Sequence, residues 1–152
     1  MKLKIEIDPD QPEELILRAP ALTDQVRRIR QALETALSRP AEIALRRGDE
    51  EVYLPYAALL FFEVSDERVW AHDAADRYAC SLRLHELAAI LPRGFTRASK
   101  SCLINTARVR SISRSPTGVS LATFADSDKT VYISRMYYKT VRDVIEETRL
   151  GK

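Results

Sequence analysis

The sequence predicts a mostly-β protein in which a short β–β–α extension, residues 1–40, precedes a body of small antiparallel strands, residues 41–152. From residue 41 onward, apolar and polar side chains alternate with the period of two that is typical of strands. Turn residues recur at roughly ten-residue spacing, which favours many short strands over a few long helices. Helical spacing is confined to brief segments.

The extension is predicted to form two strands and one helix. Apolar residues alternate with charged ones in residues 2–7, and residues 14–19 form a second short strand after a proline-containing turn. Thr23 is suited to cap the helix, and Pro40 ends it. The apolar stripe of this helix consists of Val26, Ile29, Leu33 and Leu37. Because every element is amphipathic, we expect the extension to pack on the body or on a second subunit.

The first part of the body is predicted to form hairpins around a buried strand. One hairpin joins residues 42–45 to residues 51–54, and a later one joins residues 69–72 to residues 77–81. Between them, residues 59–64 are apolar at almost every position, as expected for a buried strand.

The second part of the body is predicted to contain two helices among further strands. Helical spacing indicates a short helix over residues 84–91 and a closing helix over residues 137–147. Residues 95–104 are extended, with a bend at Ser99 and Lys100. The remaining strands are predicted at residues 109–113, 119–124 and 130–133.

Positive charge is concentrated toward the end of the chain, although the net charge is only +2. Residues 41–86 carry five basic and ten acidic side chains, whereas residues 87–152 carry twelve basic and five acidic ones. Residues 88–125 contain no Asp or Glu, and small hydroxyl and amide residues lie between their cations. Cations displace the counterions of a nucleic acid and hydroxyls bond its phosphate oxygens. This pattern indicates a polyanion-binding surface, with a solvated basic face as the alternative.

The sequence contains no recognisable catalytic, metal or cofactor site, and we therefore expect that the protein is not an enzyme. His72 and His85 have no Cys, Asp or Glu at metal-ligand spacing. The four glycines form no phosphate-binding motif. Cys80 and Cys102 lack CxxC spacing, as expected for free thiols in the cytoplasm, and no apolar stretch is long enough to cross a membrane.

Two cations stand where a side chain can reach a base. Lys100 lies in a bend between two serines, and Arg135 lies between a strand and the last helix. Lysine can donate to guanine in the major groove, and arginine can do so with two parallel hydrogen bonds. A weaker candidate is Arg68, in a turn that also contains acidic residues.

Several spaced motifs resemble those of the LytTR family of DNA-binding domains. Residues 95–105 read FTRASKSCLIN, similar to the family signature F-x-R-x-x-x-S-x-(V/I)-(V/I)-N. The resemblance covers about residues 41–148. The other matching segments are residues 60–63 (LFFE), 82–95 (LRLHELAAILPRGF), 109–112 (VRSI) and 133–135 (ISR).

The resemblance implies an elongated arrangement of small antiparallel β-sheets that inserts loops, rather than a helix-turn-helix, into successive major grooves. Family base contacts would correspond to Lys100 and Arg135, with a third at Arg68 in the loop that begins at Ser65. Asn105 would have a structural role, capping the turn that follows it. The implied phosphate contacts are Arg97, Ser99 and Ser101, and we predict a further phosphate contact at Lys139 in the closing helix.

The resemblance further implies a stand-alone bacterial transcriptional regulator in the cytoplasm that binds double-stranded DNA, often as a pair on repeated half-sites. Forty residues cannot hold a receiver domain, so regulation by a membrane-protein partner is expected instead of phosphorylation. We also expect a homodimer, at least on DNA, and residues 1–40 are interpreted as either a dimerisation element or a regulatory element. The alternative is a protein-interaction or sensor module whose basic face docks an acidic partner and whose Leu59–Phe62 region packs a ligand.

Overall fold

This computed structural model describes residues 1–37 and 42–149 of the chain. The chain divides into two units, Met1–Ser38 and Arg39–Lys152. The described residues form ten strands in antiparallel sheets, which confirms the predicted mostly-β class. The predicted helix stop at Pro40 lies outside the described residues. Among the described residues, no helix combines the length and the apolar character needed to span a membrane.

The first unit contains one helix, α1, which spans Asp24–Leu37. Its start agrees with the predicted cap, because Val26 N donates to the hydroxyl of Thr23 over 3.3 Å. The carboxylate of Asp24 lies in the first turn, where the helix dipole favours an anion. The apolar stripe of α1 is half-buried at Val26, Ile29 and Leu33.

The two strands predicted for residues 2–7 and 14–19 do not form, and this part of the prediction is wrong for the single chain. Residues 1–22 contain a turn, closed where Gln11 N donates to the carbonyl of Asp8 over 3.2 Å, but no strand. The side chains of Leu3 and Ile7 are 93% and 92% exposed. An alternating pattern creates an apolar face, but a strand also needs a neighbour for its backbone groups.

The second unit is built on a seven-stranded antiparallel sheet in the order β2-β1-β5-β4-β3-β7-β6. The strands are β1 Glu42–Arg47, β2 Glu50–Pro55, β3 Phe61–Ser65, β4 Arg68–His72, β5 Arg77–Cys80, β6 Phe95–Ser99 and β7 Cys102–Asn105. Helix α2, Leu84–Ile90, lies between β5 and β6 in the chain. These elements confirm the predicted hairpins and the predicted short helix.

A smaller sheet and a closing helix complete the second unit. The small sheet has the order β10-β9-β8, with β8 Val109–Arg114, β9 Ser120–Phe124 and β10 Ser127–Ile133. Helix α3 spans Tyr138–Arg149 and buries Val141. The guanidinium of Arg149 donates to the carbonyls of Thr106 and Ala107, which anchors the end of α3 to the short 3-10 helix before β8.

The continuous apolar run at residues 59–62 is explained by burial of both faces of the large sheet. Leu59 and Phe62 belong to a core that includes Leu84 and Leu87 of α2. The intervening pair, Leu60 and Phe61, belongs to a second core with the small sheet and α3. Phe61 and Phe62, the first two residues of β3, point to opposite faces and so enter different cores, which requires apolar side chains on both faces of the strand.

Three residues, Asn105 and the two cysteines, agree with the predictions from the sequence. The side chain of Asn105 donates to the carbonyl of Leu59 over 2.8 Å and accepts from Ala107 N, so it caps the 3-10 turn. Cys80 and Cys102 are free thiols. Burial raises the pKa of Cys102 to about 12, which keeps this thiol protonated at neutral pH.

Candidate nucleic-acid interface

The β3–β4 turn and the β6–β7 turn lie side by side at one end of the large sheet. Strands β3 and β7 are antiparallel, with Glu63 opposite Cys102. Beyond that pair, Val64 N donates to the carbonyl of Ser101 over 2.9 Å. The end of β3 therefore meets the beginning of β7, and the two turns project from the same end of the sheet.

The segment between β10 and α3 reaches the same end. Ser134 N donates over 2.8 Å to the carbonyl of Ala98, which is the residue before the last position of β6. The backbone pairing thus brings to one end of the large sheet three segments that are distant in sequence, and each of them carries an exposed cation. These cations are Arg68, Lys100 and Arg135.

The β3–β4 turn has an unusual backbone for its residues. Asp66 and Glu67 have φ values of 53° and 63°, and together they form a two-residue hairpin connection between Ser65 and Arg68. Two left-handed central residues match the right-handed twist of the flanking strands. Glutamate rarely adopts this conformation. Arg68 begins β4 directly after the turn, and its side chain is exposed.

The β6–β7 turn presents Lys100 on a rigid frame. The guanidinium of Arg97 donates to the carbonyl of Lys100 over 2.6 Å. The hydroxyl of Ser99 accepts from Ser101 N over 3.3 Å. Arg97 and Ser99 are half-buried, whereas Lys100 and Ser101 are exposed. Arg97, predicted to contact phosphate, is therefore also a support for the turn that carries Lys100.

Arg135 is exposed but its guanidinium is docked on the β8–β9 turn. Its Nη2 donates to the carbonyl of Thr117 over 2.9 Å. The junction behind Arg135 is held by Tyr137 N, which donates to the carbonyl of Ser134 over 3.0 Å. Arg135 therefore projects from a fixed junction, as the sequence predicts, and in addition contacts a turn that the sequence analysis did not connect with it.

The first turn of α3 adds positive charge beside this region. Lys139 is exposed there, as a phosphate contact requires. The guanidinium of Arg114 lies 4.6 Å from the ring centre of Tyr138, and Arg142 donates to the Tyr138 hydroxyl over 3.2 Å. Neither Arg114 nor Arg142 is among the site residues predicted from the sequence. The four-residue spacing of Tyr138 and Arg142 on a helix was an available signal, whereas nothing in the sequence connects Arg114 with Tyr138.

The ligand site of the alternative interpretation conflicts with the packing. Leu59, Leu60 and Phe62 are fully buried and Phe61 is 4% exposed. These four side chains fill the two cores, so a ligand could reach them only if the sheet separated from its covering elements. The interpretation of this region as a ligand-binding surface is therefore wrong.

A family model matches most of the second unit, and two curated relatives resemble the chain over nearly its whole length. Residues 49–146 match the model of the LytTr DNA-binding domain. The chain is 28% identical over 145 residues to an uncharacterised HTH-type transcriptional regulator of Staphylococcus aureus strain NCTC 8325, which covers 94% of this chain and 97% of that protein. The counterpart in strain MRSA252 is 27% identical over the same length.

A solved structure shares the fold. It is the LytTr DNA-binding domain of a Bacillus cereus protein described as a methyl-accepting/DNA response regulator. The TM-score is 0.65 at 18% identity, and the match covers 70% of this chain and 97% of that one. Between α2 and α3 this chain has five strands, so these two helices do not form a helix-turn-helix. With the family model matched over residues 49–146, this chain belongs to the LytTR family of DNA-binding domains.

Proposed function

We propose that this protein is a transcriptional regulator that binds specific double-stranded DNA sequences through the β3–β4 turn, the β6–β7 turn and the segment between β10 and α3. The observation that carries the proposal is that three exposed cations, Arg68, Lys100 and Arg135, lie in segments that backbone hydrogen bonds join at one end of the large sheet. Arginine and lysine are the side chains most suited to guanine in the major groove. The similar Staphylococcus aureus proteins are named transcriptional regulators, which supports a regulatory role.

The surroundings of these turns suit contacts with phosphate. Ser99 and Ser101 flank Lys100, Arg97 lies beneath the turn, and Lys139 is exposed on α3. Hydroxyls and cations fix the register of a protein on the duplex without reading its sequence. We assign base recognition to Arg68, Lys100 and Arg135 and phosphate contacts to the other four residues.

We further propose that the protein acts as a homodimer on repeated half-sites in the cytoplasm. The first unit supports this proposal, because Leu3, Ile5 and Ile7 alternate with charged residues in the sequence and are all exposed. A second copy of the same segment would supply the backbone partner that a strand requires. The signal is proposed to arrive from a membrane-protein partner, which co-purification from membranes with and without detergent would test.

The test of the proposed function is selection of bound sequences from a random pool of duplexes, with wild type and Arg135→Ala in parallel. Wild type is expected to enrich a repeated motif with half-sites about one helical turn apart. Arg135→Ala is expected to enrich the same motif but to lose the base preference at one position. Absence of any enriched motif, with binding that disappears as salt rises, would show only a basic surface and contradict the proposal.

A further inference from the structure

Gly118 leaves open the space that the guanidinium of Arg135 occupies. A Cβ atom at Gly118 would lie 2.5 Å from Nε, 2.6 Å from Nη2 and 2.9 Å from Cζ of Arg135. These distances are shorter than any real contact of a Cβ atom, so any other residue at position 118 would displace the arginine. The contact is with the planar head of the side chain, which is the part that recognises a base.

The turn that holds Arg135 is itself well fixed. Gly118 N donates to the carbonyl of Ser115 over 3.1 Å, and Thr117 N donates to the Ser115 hydroxyl over 3.2 Å. Serine first, Pro116 second and glycine fourth are the residues that a type I turn favours. The carbonyl of Thr117, which accepts from Arg135, therefore has a defined position.

Docking on the turn leaves Arg135 able to read a base. A guanidinium has five N–H donors, and the contact with the carbonyl of Thr117 engages Nη2. Recognition of guanine O6 and N7 needs two donors, so enough remain. A free arginine side chain loses rotamer freedom when it binds, and prior docking removes much of that loss.

We propose that Gly118 is a specificity-determining positioning residue, which together with the carbonyl of Thr117 holds the guanidinium of Arg135 in its reading orientation before DNA arrives. This inference rests on the proposed function, in which Arg135 reads a base. A glycine needed only for its backbone conformation, φ +88°, would affect stability but not base discrimination. In a second rival explanation, the turn holds Arg135 away from DNA. Disruption of the turn would then raise base discrimination above that of wild type.

The experiment compares full-length wild type with four variants: Gly118→Ala, Gly48→Ala, Arg135→Ala and the double variant Gly118→Ala/Arg135→Ala. Gly48→Ala is the matched control, because Gly48 also has a positive φ, +61°, and a Cβ there meets no atom within 4 Å. The measurement compares affinities for two duplexes at one salt concentration. The first is the selected duplex, and the second differs from it only at the base pair for which Arg135→Ala loses its preference. The ratio of the two affinities measures base discrimination. Thermal unfolding of each variant accompanies it.

Gly118→Ala is expected to lower this ratio about tenfold, approaching Arg135→Ala, since a well-formed bidentate contact supplies discrimination of that order. Gly48→Ala should keep the wild-type ratio. In the Arg135→Ala background, Gly118→Ala should cause no further change, because Gly118 acts through Arg135. If Gly118→Ala does not fold, Gly118→Asn tests the same contact, because asparagine tolerates positive φ and still carries a Cβ.

Three outcomes would overturn the inference. In the first, Gly118→Ala has the same ratio as Gly48→Ala, whereas Arg135→Ala loses discrimination. This result contradicts the inference about Gly118 but leaves the proposed function intact. A ratio for Gly118→Ala above that of wild type would show that the turn holds Arg135 away from the base, which is opposite to the proposed role. Absence of discrimination by wild type itself removes the proposed function, and this inference with it.

Discussion

Nζ of Lys129 lies 3.1 Å from Nδ1 of His72, and this contact joins the small sheet to the large one. On its other side, Nε2 of His72 lies 2.8 Å from a carboxylate oxygen of Glu63. Because an ammonium group can only donate, Nδ1 accepts and Nε2 carries the proton. The ring stacks on Phe61 with 4.2 Å between ring centres. His72 is thus held in its neutral form between two sheets.

The stability of the protein is expected to fall as the pH drops below about 6.5. Burial lowers the pKa of His72 from its ordinary value of 6.5, and the charge of Lys129 lowers it further. The unfolded chain therefore takes up this proton at a higher pH than the folded protein does. In the window below 6.5, the free energy of unfolding should decrease by up to about 1.4 kcal/mol per pH unit, until His72 is itself protonated in the fold.

Urea unfolding at several pH values checks this expectation. His72→Gln should flatten the slope below pH 6.5. An unchanged slope in His72→Gln would assign the effect to other groups. The charged groups nearest to His72 are Glu63, Lys129 and Arg77.

Arg135→Lys is expected to lose base discrimination almost as fully as Arg135→Ala. A lysine keeps the charge but cannot make two parallel hydrogen bonds, and truncation of a bidentate arginine costs about 1–3 kcal/mol of specific binding. Equilibrium binding to the selected duplex and to a scrambled duplex measures this loss. Full specificity in Arg135→Ala would show that Arg135 does not read a base.

Lys139→Ala is expected to weaken binding to all sequences alike. Loss of one phosphate contact should reduce the slope of log K against log salt by about 1, because one fewer counterion is released. Titrations of selected and scrambled duplexes over a range of salt measure the slope. Arg93→Ala is the matched control, since Arg93 precedes β6 at the end opposite Ser99 and should not alter the slope.

Arg97→Lys is expected to relax the base preference at the position read by Lys100. The guanidinium of Arg97 fixes the carbonyl of Lys100, and an ammonium group lacks the geometry to replace it. In sequence selection, the two single variants Arg97→Lys and Lys100→Ala should lose base preference at the same position. If Arg97→Lys instead preserves the preference and changes only the salt dependence, Arg97 acts as a phosphate contact alone.

Ile5→Lys is expected to weaken self-association. Ile5 is 78% exposed in the single chain, and a second copy would bury it against its own apolar face. A buried and unpaired lysine would oppose such an interface. Sedimentation velocity over a range of concentrations, with and without DNA, measures the change. Tyr53→Lys, at a residue that is 61% exposed in the second unit, is the control. Equal sedimentation of Ile5→Lys and wild type would leave the first unit without a role in dimers.

Most of the second unit was predictable because its strands and turns have local signals. Alternation, the bend at Lys100 and the cap at Asn105 all depend on residues close together in the chain, and each agrees with the structure. The prediction of the N-terminal strands was wrong because it also depended on a local signal alone. Alternation in residues 2–7 specifies an apolar face but not the neighbour that a strand must pair with.

By itself, the sequence determined the mostly-β class, the family and the cations that lie in turns, because these depend on residue type and short spacing. Only the tertiary structure decided which of these residues meet. The docking of Arg135 on Gly118 and the contact of Lys129 with His72 join segments that are distant in the chain. Such contacts arise when strand pairing and the packing of two sheets bring the segments together, and no local pattern of residues encodes them.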